Sequence, residues 1–175
     1  MSSQTTATTA MRGPVDGRSS LLADRIEEGA TLLAAFAEGL SEKEWHVPVS
    51  ATDRRSVGLI IHHVASMYPI EIDVARAIAS GKAVADVTWD VVAELNANHA
   101  EQHARETKAT TLELLRRNSR EAANAVREFT DEELDRAAPF SLSFGAPVTA
   151  QFVVEDHALR HSWHHLARIR IALGR

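Results

Sequence analysis

Residues 155–175 read EDHALRHSWHHLARIRIALGR and place four of the chain's nine histidines within nine positions. His157, His161 and His165 follow one another at intervals of four, the spacing that stacks side chains along one face of a helix. The stretch therefore reads as the last helix, capped by Thr149 and running almost to residue 175. A pair of imidazoles at that interval can clamp a metal ion, and it also arises on His-rich exposed faces.

The same helical reading extends upstream. The chain is Ala-rich, with few Gly and Pro and little β-branched alternation, so an all-α bundle is expected. A first helix is predicted over about residues 19–40, with Leu22, Ile26, Leu33 and Phe36 near one face. SEKEWHVPVSATDRR then reads as a loop. A second helix is expected from about Ser56 to Ser80, stopped by Gly81 and kinked or restarted at Pro69. The helical region from Thr88 to about Glu128 is too long for one ordinary helix; Thr110 with Glu113 forms a potential capping box that splits it into about 88–107 and 111–128. FSLSFGAPVT, residues 140–149, reads as an extended loop or small hairpin.

With 175 residues the chain is most simply one domain, large enough for a core that needs neither disulfides nor structural metal. A net charge of -5 argues against a nucleic-acid partner. Cysteine is absent, so metal ligands must come from His, Asp and Glu. Residues 1–17, MSSQTTATTAMRGPVDG, are small and polar and read as a disordered tail ahead of a domain over 18–175. They lack the apolar segment of a secretory signal, and no later stretch is apolar enough to span a membrane, so the expectation is a cytoplasmic protein with no membrane partner.

Unrolling the helices at about 100° per residue sorts the histidines. On the last helix the polar pole around Asp156, Arg160 and Ala167 turns His161 and His165 inward, with His157 and His164 nearer the rim. On the second helix His63 shares the arc of Ile60, Val64, Met67, Ile70, Val74 and Ile78, whereas His62 falls on the polar side with Gly58, Pro69 and Asp73. Glu71, two turns beyond His63, is a candidate base or salt-bridge partner. His99 and His103 form another pair at an interval of four, on a face shared with Val92, Leu95, Gln102 and Glu106; they would line the same cavity, form a rival site or lie on an exposed face.

Three inward imidazoles on facing helices are how bundle metal sites are built, and an apolar core has few other partners for them. Three His with an open position is an established catalytic arrangement. The donors suit zinc, nickel, copper and iron alike, with zinc or nickel expected. A serine-hydrolase reading lacks support: Ser56, Ser66 and Ser162 lie near histidines, but no strand-turn-helix elbow surrounds them. Arg168, one residue off the His161 line, is a candidate for holding an anionic substrate.

SVGLIIHHV (residues 56–64) and HSWHHLARI (residues 161–169) together resemble the DinB-like superfamily of four-helix-bundle metalloenzymes, and EWHVPVSATDRRSVGLIIHHV is similar to the start of its mycothiol-dependent maleylpyruvate isomerase branch. The resemblance covers the chain from about residue 19. It implies a four-helix bundle, often a homodimer, with a divalent metal on His63, His161 and His165, the three chosen independently by helical face. It also implies thiol-dependent S-transfer or isomerisation of a small substrate, with a low-molecular-weight thiol as cosubstrate and with His99, His103 and Arg168 positioning the reactants. Metal-assisted hydrolysis and non-catalytic metal or ligand binding are the alternatives. Leu166, Ala167 and Arg168 depart from the family's usual basic-Gly-Gln ending. The isomerase branch carries a carboxylate where this chain has His161, so that branch's specific activity does not carry over.

Overall fold

The computed structural model describes residues 17–175; apart from Gly17, the segment read as a disordered tail lies outside the described residues. Helix α1 (Arg18–Glu38) buries Leu22, Ile26, Ala30, Leu33 and Ala37, the three- and four-residue rhythm of an amphipathic helix. A single turn, α2 (Glu42–Trp45), forms inside the stretch expected to be a loop because Ser41 and Glu44 make a capping box. Its Trp45 is buried and packs against Gly58, where a Cβ would come within 2.2 Å of the indole.

Helix α3 (Val57–Ala79) starts at Ser56, whose Oγ accepts the Leu59 N–H. It runs through Pro69 without a restart. Proline has no N–H for the carbonyl four residues earlier, which is that of Ala65. Asn118 Nδ2 donates to that oxygen at 2.8 Å from a neighbouring helix, so the backbone acceptor stays satisfied in the core.

Helices α4 (Trp89–Gln102) and α5 (Lys108–Arg127) divide the long helical region. The first begins where expected, capped by Thr88, but the second is capped by Thr107 instead of Thr110. Thr107 Oγ1 accepts the Thr110 N–H, and the Thr110 hydroxyl donates back to the Thr107 carbonyl. The short α6 (Asp131–Asp135), with its own capping box, leads into a hairpin of β1 (Ala137–Pro139) and β2 (Pro147–Thr149), paired Ala137 with Thr149 and Pro139 with Pro147. The hairpin begins three residues before the segment that suggested it. Its turn places Phe144 and Gly145 at positive φ, 56° and 80°.

The last rod is composite: α7 (Ala150–Val153), capped by Thr149, a π-helical turn over Val154–Leu159, and α8 (Arg160–Leu173). Helix α5 packs against α1 and α3, and the last rod packs against the same two, which makes a four-helix bundle with α4 laid outside on α3. Ile26, Leu33, Ile60, Ile61, Leu115, Val126 and Ile169 are fully inaccessible at its centre. Each such side chain contributes about 1.5–3 kcal/mol. Tyr68 and Ser162, both inaccessible, satisfy each other's hydroxyls at 2.7 Å. No described helix is long and apolar enough to cross a membrane.

Candidate metal centre

The π turn contains His157 and ends two residues before His161, and such turns recur at functional sites. Beyond it, α8 turns His165 into the core while His164 stays exposed. His161, with 15% of its side chain exposed, faces His63 of α3 across the bundle. One ring nitrogen from each of His63, His161 and His165 lies within 4.8 Å of the other two. The ring centroids are 5.0, 5.7 and 4.9 Å apart.

Electrostatics prepare these rings to donate lone pairs. Burial, reinforced by the neighbouring His161, pushes His63 down to about 3, and the same two causes hold His165 well below the ordinary imidazole range. Both are therefore neutral at pH 7, the state in which imidazole ligates. His161 Nδ1 donates to Glu71 Oε1 at 2.6 Å, which fixes the ring and leaves Nε2 as its free nitrogen. Glu71, a candidate base or ion-pair partner by sequence, is thus the group behind His161. His63 Nδ1 and His165 Nδ1 are buried without any hydrogen-bond partner, so neither ring is held as an ordinary structural histidine.

The cluster opens into a pocket of about 290 Å³. Met67, Ile70 and Val74 of α3 form one wall, and Trp89, Val92 and Leu95 of α4 form the opposite one. Phe140 and Leu142 of the hairpin turn close one side, while Arg160 and His164 stand on α8 at its edge. Ile70, expected in the buried arc, is 40% exposed because it faces this opening.

The other sequence candidates sit elsewhere. Arg168 donates to Asp53 Oδ2 at 3.1 Å, a carboxylate that also holds Arg55 through two hydrogen bonds; these cations keep Asp53 far below the usual carboxylate range. Arg168 is not among the pocket's lining residues, nor are His99 and His103. Those two instead meet His62, which is buried, 5% exposed, and not on a solvent face. The helical-wheel reading left out α4, which covers that side of α3. Together His62, His99 and His103 form a second grouping of convergent ring nitrogens.

Comparison with known proteins places this architecture. The family model of the DinB superfamily matches residues 25–169, and the chain belongs to that superfamily. Among solved structures it is similar to YfiT from Bacillus subtilis, described as a probable metal-dependent hydrolase with an unusual four-helix bundle topology. The two share 17% sequence identity with a TM-score of 0.72, over 92% of this chain and 89% of that one. A search of curated proteins found no match.

Proposed function

We propose that the protein is a metal-dependent enzyme acting on a small molecule with a largely apolar body, by thiol-dependent group transfer or isomerisation. The observation that carries this reading is the opening of the His63, His161 and His165 cluster into an apolar pocket of about 290 Å³. The residues fit a divalent ion: the donors converge, two are held neutral by burial, and the third is fixed by a carboxylate. Such an ion, with zinc or nickel expected, would supply Lewis-acid stabilisation of negative charge.

The chain's own groups do the rest. Glu71 accepts the hydrogen bond from His161 Nδ1 and thereby fixes the orientation of the ring. Met67, Ile70, Trp89 and Leu95 grip the apolar body and limit water, which favours a low-molecular-weight thiolate over water as nucleophile. Arg160, held by Asp156 at 2.8 Å, offers a cation at the rim for an anionic cosubstrate group. The same reading expects a homodimer working in the cytoplasm, with no nucleic-acid partner.

Hydrolysis is the second reading, favoured by the description of YfiT. Metal-loaded protein incubated with test electrophiles, with and without common thiols, separates the two. Conjugates or isomers formed only with thiol support the proposal. Hydrolysis products independent of thiol support the second reading, and no turnover under either condition leaves a metal-binding protein without catalysis.

A further inference from the structure

Helix α4 is anchored in an unusual way. It carries one wall of the pocket, yet its one buried side chain is not an apolar residue but His99. A helix that buries so little apolar surface gains little from packing alone, and what it presents to α3 is imidazole. His99 Nε2 lies 2.9 Å from His62 Nδ1, and the His103 and His62 ring centroids are 4.4 Å apart with their planes 28° apart.

One hydrogen bond between His62 and His99 does not account for this arrangement. It uses a single proton, gives His103 no part, and leaves His99 Nδ1 buried without a partner. The centroid distances of 4.8 and 5.0 Å fall within, and that of 4.4 Å just below, the spacing of about 4.5–5.2 Å expected for rings whose nitrogens sit about 2.0–2.1 Å from one ion. One nitrogen of each ring lies within 4.8 Å of the others. His103 Nδ1 is backed by Glu106 Oε1 at 3.3 Å, and Glu106 is itself held by the Thr110 hydroxyl at 3.2 Å. That repeats the carboxylate-imidazole pairing of Glu71 with His161.

We propose that His62, His99 and His103, with Glu106 behind His103, form a second divalent-metal site that staples α4, and with it the pocket wall, onto α3. It is distinct from the first site because the adjacent His62 and His63 project about 100° apart on α3. His103, with 34% of its side chain exposed, gives the ion a route in from solvent.

The test is Zn²⁺ stoichiometry and affinity by calorimetry and mass spectrometry on the full chain, with hydrogen exchange along α4 as a second readout. Wild type is expected to bind two ions, His161→Ala one, and His161→Ala with His103→Ala none. His103→Ala alone keeps one ion and loses the Zn²⁺-dependent exchange protection of α4. His103 is partly exposed near the end of a helix, so this variant keeps its fold, as circular dichroism would verify. A single ion in wild type that His103→Ala leaves untouched would overturn the second site, whatever the fate of the first. A second ion insensitive to His103→Ala, or unchanged α4 exchange on Zn²⁺ addition, would overturn it equally.

Discussion

Glu71 offers the sharpest perturbation of the proposed centre. Its Oε1 lies 2.6 Å from His161 Nδ1, and the two side chains are 10% and 15% exposed, so little water competes for the contact. Replacing a carboxylate behind a ligating histidine costs about 10–100-fold in metal affinity, or about 1.4–2.7 kcal/mol. Glu71→Gln keeps an acceptor for the Nδ1 hydrogen and loses only the charge, so it belongs near tenfold. Glu71→Ala strands a half-buried N–H and frees the ring to rotate, so it belongs near a hundredfold. Competition against a chromophoric chelator, in a His103→Ala background so that only one site is read, measures both. Unchanged affinity in both variants would refute the role assigned to Glu71, and an equal loss in both would refute the ordering argued from the remaining hydrogen bond.

Other outcomes follow from the same geometry. His63 and His165 are neutral in the fold but protonate near 6.5 when unfolded. As pH falls below about 6.5, the unfolded metal-free chain takes up protons that the folded one refuses, and stability drops by up to about 1.4 kcal/mol per pH unit for each residue. For His63 this continues to about pH 3; urea titrations of metal-free wild type and His165→Leu should give a shallower slope for the variant, and equal slopes would count against the buried neutral state. Gly58→Ala drives a Cβ into the Trp45 indole and should destabilise by about 1–3 kcal/mol, read as a fall in melting temperature. Asn118→Ala leaves the Ala65 carbonyl without its donor and should cost about 1–3 kcal/mol, whereas an exposed change such as Glu121→Ala should cost little.

Much of the bundle is legible in the sequence because helical periodicity and capping are local. Thr149 caps the last helix as expected, the helices expected to begin near Ser56 and Thr88 are capped by those residues, and the convergence of His63, His161 and His165 follows from spacing on two amphipathic faces. The failures are tertiary or arise from competition between near-equivalent local signals. Thr107 and Thr110 both resemble caps; the chain uses the earlier one, and Thr110 instead bonds back to the Thr107 carbonyl and to Glu106. The π turn at Val154–Leu159 adds a wider winding that a uniform 100° wheel lacks. His62 looks solvent-facing on α3 alone, and only the docking of α4 buries it. Likewise, that His161 pairs with Glu71 is a contact between elements 90 residues apart, which no local pattern specifies.

The central claim is that His63, His161 and His165 hold a divalent ion at the base of the pocket. Anomalous diffraction collected on both sides of the metal absorption edge, from crystals of metal-loaded protein, tests it most directly. The account predicts a peak bonded to one nitrogen of each of these three rings. Crystals that contain the metal but show no peak among them would contradict it.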